Sequence, residues 1–131
     1  IAYREALQLK PGDGVLRGRL GRALKDCNQF DEALVLFEKL RADDLKDPFP
    51  WRQIGYVRKF LGQIELAIPA FEESLKLEPK QPEVWGNLMA AYHAAGRLED
   101  VKRAYQRLLP LDSEWAKATY RELLLPYGVA P

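Results

Sequence analysis

The sequence predicts an all-α solenoid of antiparallel helix pairs, and three observations carry that prediction. The 131-residue chain matches itself at a shift of 34 residues: Arg17, Trp51 and Trp85 stand 34 apart, as do Leu20, Ile54 and Leu88; Asn28, Gly62 and Gly96; Phe30, Ile64 and Leu98; Ala33, Ala67 and Val101; and Phe37, Phe71 and Tyr105. A period in this range marks a stacked repeat. Within each unit, apolar residues recur at helical spacing in two successive runs. Between the runs falls Asn or Gly, which tolerates the left-handed backbone of a helix end, and proline falls in the connections between units.

Residues 1–10, with Tyr3, Ala6, Leu7 and Leu9, read as the tail of a helix whose beginning is absent, and the chain as a piece of a longer protein. Leu16, Leu20, Ala23 and Leu24 set the apolar face of a helix over 14–27. Asn28 turns the chain, and Phe30, Ala33, Leu34, Phe37 and Leu40 form the face of a partner over 30–43. Asp47 as N-cap and Pro48 in the first turn open a helix over 48–61, since a proline N–H is not needed there. Gly62 ends it, and Ile64, Ala67 and Phe71 continue in a helix over 64–77. Pro69 lies beyond the first turn of that helix, removes an i→i−4 bond and should bend it near Glu65.

Trp85, Leu88 and Tyr92 define a helix over 82–95; past Gly96, Leu98, Val101 and Tyr105 define one over 98–109. The last helix, 113–126, starts at Ser113 as N-cap. It puts Trp115, Ala116, Thr119, Tyr120 and Leu123 on one side and Lys117, Arg121 and Glu122 on the other. A single helix there would cover the open end of the stack, as solenoid caps do. No strand is expected.

Gly21, Gly55, Ala33 and Ala67 let paired helices approach, and Phe37, Phe71 and Tyr105 then fill the gap to the next unit. Each buried ring contributes about 2–3 kcal/mol, which one pair alone could not realise. Trp51, Trp85, Phe71 and Trp115 are therefore assigned to structure. Cys27 reads as a small apolar plug at a helix end.

These residues resemble the tetratricopeptide repeat, whose pattern runs W-x2-L-G-x2-Y, then A-x3-F, then P. One unit reads Trp51-x2-Ile54-Gly55, Ala67-x3-Phe71 and Pro79; the next reads Trp85-x2-Leu88, Tyr92 and Tyr105; the first is looser, with Leu20-Gly21 and Ala33-x3-Phe37. The resemblance implies a right-handed superhelical solenoid forming a single domain over 1–131. It comprises the end of a truncated repeat (1–13), three repeats (14–47, 48–81 and 82–112), and a capping helix with tail (113–131). Leu45 departs from the pattern by replacing a proline, Arg58 by taking the place used by Tyr92, and Val101 by replacing the small residue of the helix crossing.

Charge and composition narrow the function. Twenty Lys and Arg against nineteen Asp and Glu leave +1, without the basic excess that phosphate neutralisation demands, so no nucleic-acid partner is expected. The aliphatic run Leu123-Leu124-Leu125 is far short of the roughly 20 residues that span a bilayer, so no membrane insertion is expected. His93 is the single histidine and Cys27 the single cysteine. No nucleophilic triad, metal site or cofactor site emerges, the Gly12-Asp13-Gly14 triplet reads as a connector, and the chain is not expected to be an enzyme. A lone thiol leaves the compartment open.

In tetratricopeptide arrays the first helix of each unit lines the concave groove. The resemblance therefore implies a peptide-binding groove formed by Arg19, Arg22, Lys25, Phe49, Arg52, Gln53, Tyr56, Lys59, Phe60, Asn87 and His93, with Val15, Asp26, Glu83, Ala90 and Ala94 on the same faces. That set holds five Lys or Arg against two Asp or Glu, while the outer helices carry Asp31, Glu32, Glu38, Glu65, Glu72 and Glu73. Such sidedness would steer an acidic, or acidic and apolar, protein segment into the groove.

Some members of the family grip the C-terminal carboxylate of heat-shock chaperones with five polar residues. Here those places hold Gly18, Arg22, Gln53, Glu83 and Asn87, and Glu83 would repel a carboxylate. Gln53 and Asn87 resemble the amide ladder that long arrays use against peptide backbones. Two other functions fit the same fold. One is the scaffold arm of a larger enzyme such as a glycosyl- or sulfotransferase; the other is a secretion or assembly chaperone for apolar segments. The apolar end at Tyr3, Ala6, Leu7 and Leu9 would also permit self-association.

Overall fold

The computed structural model describes residues 14–128. Among them are seven α-helices and no strand: α1 Gly14–Asp26, α2 Phe30–Asp43, α3 Pro48–Phe60, α4 Ile64–Leu77, α5 Pro82–Ala94, α6 Leu98–Leu108 and α7 Ser113–Leu123, followed by a 3-10 turn at Leu125–Tyr127. The expected helix over 1–10, the truncated repeat 1–13 and the apolar end at Tyr3, Ala6, Leu7 and Leu9 lie outside the described residues.

The inner turns repeat one geometry. Asn28, Gly62 and Gly96 have φ of 62°, 75° and 73°. In each turn the next residue's N–H reaches back to close the helix: Gln29 to the Leu24 carbonyl, Gln63 to Arg58 and Arg97 to Tyr92, all at 2.8 Å. This is the Schellman closure, which satisfies carbonyls that would otherwise end the helix unpaired. The outer turns are built differently. The Asp47 carboxylate accepts from Phe49 N–H at 3.0 Å ahead of Pro48, and Asp44 and Glu78 accept from the N–H groups of Lys46 and Lys80, so one turn is written twice.

Helices pair as α1 with α2, α3 with α4 and α5 with α6; α2 then packs on α3, α4 on α5, and α7 across α5 and α6. Phe37 and Phe71 are fully buried, each beneath the glycine of its own pair. A Cβ on Gly21 would stand 2.7 Å from the Phe37 ring, and one on Gly55 2.6 Å from Phe71. Phe37 also meets Phe49 of the next pair edge-on at 6.1 Å, joining the units as expected.

The third pair departs from this scheme. Met89 replaces the glycine and is fully buried, so no floor remains for a ring, and Tyr105 lies half-buried against Tyr120 of α7 at 4.6 Å. Gly86 takes over the role one turn earlier, with the Trp115 ring 2.6 Å from where its Cβ would be. Ala116, Tyr120 and Leu124 complete the cover, while Lys117, Arg121 and Glu122 face outward.

Other expectations are corrected. The N-cap of α7 is Asp112, whose carboxylate accepts from Trp115 N–H at 3.0 Å, not Ser113. The helix stops at Leu123 rather than 126: Pro126 has no N–H to donate to the Glu122 carbonyl, and the chain tightens into the 3-10 turn at Leu125–Tyr127. Cys27 is exposed rather than a buried plug, just past the last residue of α1. Pro69 lies within α4 beyond its first turn, as the sequence places it, and on the exposed side of the helix.

Candidate peptide-binding groove

The first helices of the three pairs lie side by side and enclose a cleft of about 630 Å³. Arg22 and Lys25 of α1 form one wall. Phe49, Arg52, Gln53 and Tyr56 of α3 form the floor, and Pro82, Glu83 and Val84 of α5 form the opposite wall, with Gln81 below them and the Trp115 ring at one end. A second hollow of about 500 Å³ adjoins it, sharing Arg22 and Phe49 and adding Arg19, Val15, Gly18, Leu40, Asp43, Asp44 and Asp47.

Seven of the groove residues read from the sequence, Arg19, Arg22, Lys25, Phe49, Arg52, Gln53 and Tyr56, thus line two contiguous spaces. Four do not. Lys59 and Asn87 bond to each other at 2.5 Å beside the cleft. Phe60 stacks on Phe30 of α2, with ring centroids 5.8 Å apart and planes 13° apart, at the far end of α3. His93 is half-buried in the last turn of α5.

Polar side chains of the first helices form rungs between units, one in the cleft and one beside it. Lys25 Nζ donates to Gln53 Oε1 at 2.8 Å, and one repeat later Lys59 Nζ donates to Asn87 Oδ1 in the same way. The amides are therefore engaged by lysines, and Asn87 Nδ2 is spent on the Glu83 carbonyl at 2.9 Å. A peptide backbone using these amides must compete with the lysines.

Arg52 is held from below. Its Nη1 donates to Gln81 Oε1 at 2.8 Å, and its guanidinium lies over Phe49, 5.4 Å from the ring centroid. Gln81 is buried, and its Nε2 donates to the Ser74 carbonyl at 3.0 Å and the Glu78 carbonyl at 2.8 Å. Ser74 Oγ in turn donates to the Pro48 carbonyl at 3.1 Å. This network fixes Arg52 to the ends of α4 and α5, and a fixed guanidinium loses less side-chain entropy when it binds a carboxylate. Sequence reasoning missed Gln81 and Ser74. The only signal was an amide between two prolines, at the place where the preceding unit has the capping Asp47.

Electrostatics point the same way. Burial lowers the Lys25 pKa below its ordinary value; neighbouring Arg22 and Arg52 lower it further, while Asp26 and Glu83 oppose the shift. The ammonium also lies over the Tyr56 ring at 5.4 Å. Burial, then Glu83, raises the Tyr56 pKa, and its hydroxyl is buried without a hydrogen bond among the described residues. Three crowded cations and a spare phenol donor favour an anion that can accept from them. Among the described residues no group of three or more His, Cys, Asp or Glu could hold a metal ion, and no helix is long and apolar enough to cross a membrane.

Three helix pairs, a helix covering their end and a cleft across the first helices define a helical-repeat solenoid of the protein-interaction kind. The tetratricopeptide repeat family model matches residues 2–53 and 61–123, and the chain belongs to that family. It is 29% identical over 106 residues to tetratricopeptide repeat protein 33 of Mus musculus, covering 81% of this chain and 39% of that one. Its human counterpart is 31% identical over 83 residues, covering 63% and 32%. The chain thus spans well under half of these relatives.

Solved structures share the fold, two of them over most of this chain. A crystal structure of MamA has a TM-score of 0.87 at 18% identity, covering 97% of this chain and 74% of that one. The first repeat domain of Spaghetti (RPAP3), bound to the HSP90 peptide SRMEEVD, has a TM-score of 0.81 at 19% identity, covering 88% and 94%.

Proposed function

We propose that this chain is a protein-interaction module whose cleft accepts an acidic, or acidic and apolar, peptide segment, by binding and not by turnover. The observation that carries the proposal is that Arg22, Lys25 and Arg52 share one cleft with Phe49, Tyr56 and Trp115. Cations beside aromatic faces suit carboxylates flanked by apolar side chains. The similarly folded domain of Spaghetti (RPAP3) is bound to an HSP90 peptide, SRMEEVD, which supports a peptide ligand for this fold. A grip on a chain-terminal carboxylate is disfavoured, because Gly18 supplies no cation and Glu83 brings a negative charge to the opposite wall.

The test is a peptide-display selection against the chain, followed by affinity measurements on the Arg22→Glu/Arg52→Glu variant. Selected peptides should be enriched in Asp and Glu, and the variant should bind them at least about tenfold more weakly, equivalent to about 1.4 kcal/mol. Peptides without acidic enrichment, or affinity unchanged by the double reversal, would refute an acidic ligand. Apolar selected peptides would instead favour the assembly-chaperone function.

A further inference from the structure

The charges that line the cleft are not equivalent. Lys25 is engaged by Gln53 and Tyr56, and Arg52 by Gln81 and Phe49. Arg22 on one wall and the Glu83 carboxylate on the other make no hydrogen bond or ion pair among the described residues, with each other or with any neighbour. Two uncommitted charges of opposite sign therefore face the same space, one from the first pair and one from the third.

Resting on the reading above, we propose that the cleft selects a bipolar segment: a peptide with a carboxylate for the Arg22 and Arg52 side and, farther along, a basic side chain for Glu83. Three features support this over a uniformly acidic ligand. Glu83 is exposed on α5 and free to pair. Its charge already acts on Lys25 and Tyr56, so it shares their electrostatic space. Pro82 and Val84 beside it on the same wall carry no charge to offset it.

A segment crossing from α1 over α3 to α5 passes two helix spacings of roughly 8–10 Å, or about five residues of extended chain at about 3.3 Å each. A second carboxylate at that distance would meet Glu83 and be repelled; a lysine or arginine there would be attracted. Glu83 thereby acts as the specificity-determining residue of the cleft, because it rejects runs of like acidic charge that the three cations alone would favour.

The test uses the full chain and three fluorescein-labelled nonapeptides with both ends capped. All carry Glu at the second position and a neutral Ala and Leu spacer, and they carry Lys, Gln or Glu at the seventh. Anisotropy titrations should rank them Lys over Gln over Glu, with at least about a tenfold spread between first and last. Glu83→Lys lies on an exposed position, and its fold is checked by circular dichroism; it should invert the order. A wild-type preference for the Glu peptide, or an order unchanged by Glu83→Lys, overturns the bipolar proposal while leaving an acid-binding groove intact. Binding by all three peptides that ignores Arg22→Glu/Arg52→Glu overturns the acid-binding reading itself. No binding of any peptide at millimolar concentration overturns both.

Discussion

At the residue scale, glycine carries two separate duties in this chain. Gly62 and Gly96 supply left-handed backbone, with open space where a Cβ would be, whereas Gly55 sits in an ordinary helix and is needed for its missing side chain. Gly55→Ala should therefore destabilise by overpacking, by about 1–3 kcal/mol, as measured by urea unfolding. Combined with Phe71→Leu, which withdraws the ring edge, its cost should fall clearly below the sum of the single costs. Strict additivity would show that the contact with Phe71 is not the cause. The outer-face charges are also less available than the sequence suggests. Glu38 pairs with Arg41, Glu73 with Lys76, and Glu72 accepts from the Tyr92 hydroxyl at 2.6 Å. Burial and that bond to Glu72 raise the Tyr92 pKa, so this phenol stays a donor across the physiological range.

At the element scale, helix positions were legible because each signal is local and repeated. The start of α3 is announced by Asp47 and Pro48, and the ends of α1, α3 and α5 by Asn28, Gly62 and Gly96. The joints between elements were less legible. Gln81 occupies the slot of Asp47 but, instead of capping its helix, reaches back to Ser74, Glu78 and Arg52. Removing that buried side chain takes its bonds from Ser74 Oγ, from the Ser74 and Glu78 carbonyls and from the Arg52 guanidinium at once, so Gln81→Ala should cost about 1–3 kcal/mol in thermal or chemical unfolding. A loss within about 0.5 kcal/mol of wild type would mean that water replaces the amide without penalty. The Lys25–Gln53 and Lys59–Asn87 rungs belong to the same class. Their slots repeat every 34 residues, but only the lateral stacking of α1, α3 and α5 shows that the two slots touch.

At the scale of the whole molecule, stability is distributed along the stack. One apolar cluster joins the first two pairs through Leu24, Phe37, Ile54 and Val57, and a second joins the last two pairs and α7 through Phe71, Leu88, Met89, Leu108, Tyr120 and Leu124. A chain ending at residue 112 would expose the second cluster where Trp115, Ala116, Tyr120 and Leu124 now cover it. With about 2 kcal/mol for each of the three large side chains, the loss should reach about 6 kcal/mol. Hydrogen exchange should then show α5 and α6 opening first while α1 to α3 stay protected; uniform loss of protection would mean that the stack unfolds as one unit. The same helix supplies Trp115 to the cleft, so the cap serves both the core and the site. The sequence by itself determined the repeat, the helix pairs, their turns and the faces they bury, because those depend on neighbours within a few turns and on a period written three times. Only the tertiary structure decided which polar groups are committed and which remain available. Pairings such as Arg52 with Gln81, and the unmatched Arg22 and Glu83, depend on how successive units lie against one another, and that relation emerges only when the whole stack buries its core.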